Sequence, residues 1–299
     1  MLQDAIVIGG SFAGLSAAMM LARARRAVLV IDAGAPRNRF AERSHGVLAQ
    51  DGRPGGAILA DARRQLAAYP TATLAQGRVV AISGADGAFV VETEDGAAAR
   101  GRKVLLATGI VDELPELPGL AERWGSSVLH CPYCHGYEVG GGAIGVLGTM
   151  PASVHHAALL ADWGTITFFP NGIVDLDEEA RALLARRNVR IEERLVAGVE
   201  GPGRELEAVL LEDGSSVKAR ALFVATRARM ASPLADALGC AFDETPIGPL
   251  LHTDAQKQTS VPGVYAAGDA AHFPSNVMLA AADGVLAGVG LHQALVAAG

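Results

Sequence analysis

The chain lacks an excess of basic residues: 25 lysines and arginines face 32 acids, for a formal charge of −7. Without a basic stripe it does not read as a nucleic-acid binder. No uninterrupted apolar run approaches the ~18 residues that suggest a membrane span. No basic n-region precedes the first apolar stretch, so the N-terminus reads as a strand and not as a signal peptide. Cysteine is nearly absent, with three in 299 residues, too few for a disulfide-stapled framework. These absences lead us to expect a soluble, cytoplasmic protein with no membrane or nucleic-acid partner. What is present is apolar: half the residues are hydrophobic and 36 are glycine. That supplies a large interior and many tight turns, and the length favours two domains.

The first half opens with Ala5-Ile6-Val7-Ile8, an apolar run suited to a strand buried on both faces. Gly9-Gly10-Ser11-Phe12-Ala13-Gly14 follows, then Leu15, Ala18, Met19 and Ala22 at helical spacing through Arg26. A second strand, Ala27 to Ile31, ends at Asp32. This is a βαβ unit whose turn amides can hold a pyrophosphate, with Asp32 placed to accept from a ribose hydroxyl. Ser11 departs from the G-x-G-x-x-G pattern at its middle glycine. Arg78–Ser83, Ala88–Thr93 and Lys103–Ala107 read as further strands, the last running into Ala107-Thr108-Gly109.

The second half echoes this order. Ala143–Leu147 reads as a strand, Ala152–Asp162 as a helix and Thr165–Phe169 as the next strand. One further strand is expected after Asp213-Gly214, ending at Ala225-Thr226. The interval from Gly96 to Ala107 equals that from Gly214 to Ala225, eleven residues in each. The shared order suggests a duplicated nucleotide-binding domain. The second turn, however, reads Gly148-Thr149-Met150-Pro151-Ala152-Ser153, with Met150 where a backbone must approach phosphate. The strand after it reaches Phe169-Pro170-Asn171-Gly172, with no acid for a ribose. This unit keeps the fold of a dinucleotide domain and is a poor NAD(P)H site. The C-terminal segment returns to the first unit through a strand at Val264–Ala267, then Gly268-Asp269. Asn276 is placed to cap a helix from Val277 to about Ala298. Gly284, Gly288 and Gly290 inside that helix point to close packing.

Between the halves lies His130-Cys131-Pro132-Tyr133-Cys134-His135. A lone C-x-x-C in a chain without a secretory signal reads as redox chemistry. The bracketing imidazoles could keep one sulfur as thiolate, the attacking species. Zinc ligation by His130, Cys131, Cys134 and His135 is the competing use. Four ligands within six residues close a tetrahedron awkwardly, since structural zinc sites draw on two separated pairs. We therefore expect no metal. Cys240 reads as a small buried hydrophobe. His155, His156 and His292 read as packing or surface residues, and Trp124 and Trp163 as core or interface aromatics. His45, in Ser44-His45-Gly46, lies on a loop that could approach the ligand.

Together these motifs resemble the low-molecular-weight thioredoxin reductase family, within the FAD-dependent pyridine nucleotide–disulfide oxidoreductases. The resemblance rests on GGSFAGLSAA (Gly9–Ala18), LLATG (Leu105–Gly109), LPELPG (Leu114–Gly119), CPYC (Cys131–Cys134) and VPGVYAAGDA (Val261–Ala270). It implies an α/β chain of two Rossmann-like three-layer domains with the FAD domain in two pieces. Residues 1–115 and 241–299 would form that domain, residues 116–240 would form the inserted domain carrying C-x-x-C, and the whole would be a homodimer. By the same resemblance Gly9, Gly10, Gly14 and Asp32 would hold the ADP half of FAD. Ser11, Phe12, Ala13, Ala107, Thr108, Gly109 and Gly268 would line the same site, and Asp269 would bond the ribityl chain. Cys134 would face the flavin and Cys131 would exchange with substrate.

The departures from the family are equally informative. His135 stands where an aspartate usually follows the second cysteine, and the basic H-R-R cluster for NADPH phosphate is missing. Cys131 to Glu138, CPYCHGYE, looks more like the branch with dithiol oxidases of gliotoxin, holomycin and related disulfide natural products. That resemblance implies a dithiol small molecule as substrate, oxygen or another acceptor as electron sink, and His135, or else His130, as base. Two alternatives stay open on the sequence: an NADPH-dependent thioredoxin reductase acting on a protein disulfide, and a non-enzymatic flavoprotein sensor.

Overall fold

The computed structural model describes residues 1–299. β1 (Leu2–Ile8), α1 (Phe12–Arg23) and β2 (Val28–Asp32) open the chain, followed by α2 (Gly55–Ala67) and β3 (Ala72–Gln76). β4 (Val79–Ala85) and β5 (Ala88–Thr93) pair as a hairpin, and β6 (Ala98–Leu106) returns parallel to β1. Along β1, Ala5 and Val7 enter one core while Ile6 and Ile8 enter another. Both faces are covered, so the strand reads as an apolar run without alternation. Leu15 and Leu21 of α1 and Leu59 and Leu66 of α2 cover the first face, and Phe89 and Val91 of the hairpin cover the second.

The chain leaves this unit through β7 (Ile110–Glu113) and builds a second one from β8 (Val128–Leu129), α3 (Pro132–Val139), β9 (Ala143–Leu147) and α4 (Ala152–Leu160). β10 (Thr165–Phe169), α5 (Glu178–Arg186) and β11 (Arg190–Ile191) follow. An antiparallel sheet of β12 (Val196–Glu200), β13 (Ala208–Leu211) and β14 (Ser216–Lys218) precedes β15 (Ala221–Val224). The parallel order is β11-β10-β9-β15-β8. As in the first unit, helices pack on one face and antiparallel strands on the other.

β16 (Arg227–Met230) then pairs with β7 as a two-stranded ribbon between the units. α6 (Leu234–Ala237), the hairpin of β17 (Phe242–Thr245) and β18 (Gly248–Leu251), β19 (Val264–Ala266) and α7 (Val277–Ala297) complete the chain. β19 lies parallel to β6, which closes the first unit from the far end of the sequence.

Three expectations are corrected. α1 stops at Arg23 and not at Arg26, because Arg25 takes φ 60° and the Arg26 amide turns back to Leu21 O. The single strand expected after Gly214 is two: β14 belongs to the antiparallel sheet and β15 to the parallel one. In the first unit β6 serves both neighbours without a break, pairing β5 at one end and β19 at the other. The return to the first unit is made by α6, before the expected boundary at residue 240. Leu234, Ala235 and Cys240 pack with Ile6, Phe89 and Leu251 in the first unit's core. Cys240 is buried there, as read from the sequence.

A fourth correction concerns membrane-length segments. α7 is, by length and composition, apolar enough to cross a membrane, with a mean hydropathy of 1.4 over its most apolar window. Its glycine face is spent on packing: a Cβ on Gly284 would lie 2.1 Å from Ala13 O, and one on Gly288 2.7 Å from Ala17 O. The close approach expected of the helix glycines is therefore to α1 at Gly284 and Gly288, and to Gln256 O, 2.1 Å from a Cβ, at Gly290.

Candidate functional site

One cavity runs from the first glycine turn to the redox pair, and it takes residues from both units. At one end lies the turn between β1 and α1. Gly9 adopts φ 105°, and a Cβ there would sit 2.2 Å from Ala107 O, so the two strand ends touch only through glycine. A Cβ on Gly14 would fall 1.9 Å from Gly9 O. Gly14 thus lets α1 close onto the turn, and it alone among the proposed cofactor residues does not line the cavity. Gly9, Gly10, Ser11, Phe12, Ala13 and Asp32 do, as do Ala107, Thr108, Gly109, Gly268 and Asp269. Ser11 makes no side-chain cap on α1, leaving the first helical amides for an anion.

Asp32 accepts from Gly10 N at 3.0 Å through Oδ1 and from Arg63 Nη2 at 2.6 Å through Oδ2. Arg63 also donates to Gly10 O at 2.9 Å. A carboxylate oxygen accepts more than one bond, so Asp32 keeps capacity for a ribose hydroxyl while the arginine holds it in place. At the opposite edge Asp283, buried on α7, accepts Gly268 N at 2.9 Å and Lys257 Nζ at 2.5 Å. That pair fixes the Gly268-Asp269 turn. Ser275 Oγ lines the cavity, buried and without a hydrogen-bond partner in the protein. An orphaned hydroxyl, a glycine cradle and an uncapped helix start lining one cavity suit a dinucleotide with polar groups along its length. The residues present fit FAD.

Cys131 and Cys134 are joined as a disulfide. Cys131 caps α3, and its Sγ accepts Cys134 N at 3.2 Å. Pro132 occupies the first helical turn, where a missing N–H costs nothing. Cys134 lines the cavity and Cys131 does not. The two sulfurs therefore face different surroundings, and the helix start favours thiolate at either.

His130 and His135 both line the cavity. Burial lowers the His130 pKa to about 4, the Arg37 charge adds to this, and Asp112 opposes it. Burial also lowers His135, with Glu138 opposing and His45 adding to the drop. Both rings are accordingly neutral near neutral pH. They are proton acceptors there. Both nitrogens of His135 are buried without a protein partner. His130 is held by Trp124, stacked at 5.8 Å between centroids.

Several residues escaped the sequence reading. Arg37 bonds Asp112 through Nε at 2.8 Å and Nη2 at 2.6 Å, and Asp269 through Nη1 at 3.0 Å. Thr226 Oγ1 donates to Asp112 Oδ1 at 2.8 Å. Asp269 is therefore tied to the ribbon between the units, and burial raises its pKa despite Arg37. Their sequence separations, up to 232 residues, leave no local signal. His45 does reach the cavity, and its Nδ1 lies 3.2 Å from Glu138 Oε1.

The second glycine turn is closed on itself. Ser153 is fully buried, and its Oγ accepts Thr149 N at 3.2 Å and Met150 N at 3.4 Å. Thr149 Oγ1 donates to Ala225 O at 2.5 Å. The Gly148 N–Phe169 O bond matches Gly9 N–Ile31 O, so Pro170 stands where the first unit has Asp32, and the next residue, Asn171, accepts Val196 N at 2.8 Å.

Comparison with known proteins agrees with this geometry. Residues 3–284 match the family described as pyridine nucleotide-disulphide oxidoreductase. The chain is 36% identical to the thioredoxin reductase tcpT of Claviceps purpurea, over 95% of this chain and 92% of that protein. It is 33% identical to the thioredoxin reductase sirT of Leptosphaeria maculans, over 97% and 93%. Among solved structures, an oxidoreductase from Agrobacterium tumefaciens superposes with a TM-score of 0.95 at 47% identity, covering 99% of both chains. HlmI superposes with a TM-score of 0.91 at 39% identity, covering 99% of this chain and 93% of that one. With a dinucleotide cradle, a cysteine pair in the same cavity and matches along nearly its whole length, the chain belongs to the pyridine nucleotide-disulphide oxidoreductases, as a thioredoxin-reductase-like, FAD-dependent enzyme.

Proposed function

We propose that this enzyme oxidises a small-molecule dithiol to its disulfide, with oxygen or another acceptor taking the electrons onward. The observation that carries this reading is the second glycine turn. Its Thr149 and Met150 amides already serve the Ser153 hydroxyl, whereas an NADPH pyrophosphate would need them free. The names of the relatives favour the opposite direction, from NADPH to a protein disulfide. That is the second reading.

Bound FAD would supply a two-electron acceptor in the cavity that Cys134 lines. The protein's own residues handle the thiols. His135, neutral and unpartnered, accepts the proton of one substrate thiol. The thiolate attacks Cys131 Sγ, the Cys131–Cys134 bond breaks, and Cys134 leaves as thiolate at the start of α3. The second substrate thiol, once deprotonated, attacks the substrate sulfur of the mixed disulfide and releases Cys131. Two electrons then rest on the cysteine pair and two protons have left the substrate. The position of Cys134 in the cavity and of Cys131 outside it supports this division of roles.

We also propose a homodimer. An apolar stripe of Met278, Val285, Val289 and Val296 along the exposed face of α7 supports it. A redox pair that must cycle, together with a free thiol buried elsewhere at Cys240, supports a reducing compartment such as the cytoplasm.

Anaerobic mixing tests the reaction. Dithiothreitol should bleach the flavin absorbance, and NADPH or NADH should leave it unchanged over the same period. Cys134→Ser should abolish bleaching by the dithiol. Rapid bleaching by NADPH, with none by dithiothreitol, would establish the reductase instead.

A further inference from the structure

Two protons leave the substrate in each turnover, yet His135 can hold only one, and both its nitrogens are buried without a partner. A ring that serves both deprotonations discharges between them. Glu138 lies one helical turn after it on α3, on the same face. Its Oε1 is 3.2 Å from Nδ1 of His45, which comes from the other unit. Asp51 Oδ1 is 3.8 Å from the same nitrogen. His45 is held at this spot by a closed loop. Ser44 N donates to Arg53 O at 2.8 Å, Gly52 N to Ser44 O at 3.0 Å, and Gly46 N to Asp51 Oδ1 at 2.7 Å. The Glu138 charge favours a proton on His135 and the His45 charge disfavours it, while neither residue hydrogen-bonds the resting, neutral ring. The Glu138 and Asp51 carboxylates are partly open to water.

We propose that Glu138 and His45 are the proton exit of His135, a two-residue relay completed across the domain junction. The inference rests on the dithiol-oxidising reading of the same site. In the first step a substrate S–H bond breaks and its proton goes to His135, while the new sulfur–sulfur bond forms at Cys131. The proton then passes to Glu138 and on to His45, which delivers it to water near Asp51. His135 is neutral again and takes the proton of the second thiol. No electrons move in the relay, and one proton leaves for each one accepted. Glu138 and His45 act through His135, so they are positioning residues.

This arrangement predicts an asymmetry that a structural role would not produce. His135 begins each cycle neutral, so formation of the first mixed disulfide needs no relay, whereas its resolution does. Wild type, His45→Gln and Glu138→Gln are mixed anaerobically with dithiothreitol, quenched with acid, alkylated and weighed by mass spectrometry. The mixed disulfide at Cys131 should form at the wild-type rate in both variants. Its resolution should slow by about tenfold or more, the range of a lost acid–base partner, so that the adduct accumulates. Glu138→Asp should recover part of the rate, and added imidazole should recover part of it in His45→Gly. Resolution at the wild-type rate in both glutamine variants overturns the relay. Equal slowing of both steps, without imidazole rescue, overturns it too and leaves the pair a domain contact. If wild type itself forms no adduct and is not bleached by dithiothreitol, the dithiol reading falls and the relay with it.

Discussion

At the residue scale, the site is governed by neutral buried imidazoles and by acids whose partners lie far away in sequence. Burial holds His130 and His156 down, each at about 4. Unfolded rings take a proton near pH 6.5, and the folded ones refuse it until about pH 4. Between those values the unfolded chain binds more protons, so stability falls as the pH drops through this window and levels off below it. Each ring can account for about 3 kcal/mol at most. The urea midpoint should therefore fall steeply from pH 6.5 to 4, and His156→Asn should flatten the slope. An unchanged slope would mean that the ring is already protonated in the folded state. Asp32 was legible because an acid ending the second strand of a βαβ unit with a glycine turn is a local pattern, whereas Asp269 stood out only through the family resemblance; both line the cavity. Arg37, Arg63, Asp112 and Asp283 were not legible. An arginine in a loop carries no mark of the carboxylate it will meet after the chain has closed. Ser153 was equally silent: the sequence showed Met150 in the wrong place, but only the fold shows a hydroxyl taking the amides.

At the scale of the element, α7 has two faces with different tasks. Gly284 and Gly288 let it settle onto the backbone of α1, and this close packing was legible because glycines inside a helix need a reason. The outward stripe of Met278, Val285, Val289 and Val296 recurs at spacings of seven, four and seven residues, one line along the helix. It was not legible beforehand, because an apolar helix with no known neighbours does not show which side stays uncovered. The two faces separate in mutation. Gly284→Ala places a methyl 2.1 Å from Ala13 O, a backbone atom that cannot swing aside. The crossing should loosen at a cost of about 1–3 kcal/mol, and FAD should be lost more readily on gel filtration, because Ala13 lines its cradle. Val289→Glu should leave FAD content intact and shift the sedimenting species towards a monomer. A Val289→Glu protein that sediments as wild type at all concentrations would reject the homodimer through this face.

For the whole molecule, the relation between the two units decides which face the redox pair presents to the cofactor. Motif order made the discontinuous first domain legible. The arrangement of the units was not, because it depends on a few contacts between loops. Arg204 Nη2 donates to Phe40 O at 2.9 Å and to Trp124 O at 2.8 Å, joining a loop of the first unit to the second. Gly125, at φ 73°, packs so close to Phe40 that a Cβ would sit 2.6 Å from its Cβ. Arg37 and Thr226 hold Asp112 on the ribbon, and His45 meets Glu138. Each core lies within one unit, so loss of these contacts should change the arrangement without unfolding either. Gly125→Ala strains the backbone and pushes Phe40 away; Arg204→Ala removes the two carbonyl contacts. Both variants should keep their far-UV spectrum, and Arg204→Ala should keep FAD as well, since Arg204 does not line the cavity whereas Gly125 and Phe40 do. Displacement by about 1 Å at reacting groups can cost up to a hundredfold in rate, so anaerobic bleaching by dithiothreitol should slow by about tenfold or more in each. Alkylation of Cys131 after reduction should stay at least as fast, since that sulfur does not line the cavity. Bleaching at the wild-type rate in both variants would mean that the disulfide keeps its place by other contacts, and that Arg204 and Gly125 only decorate the junction.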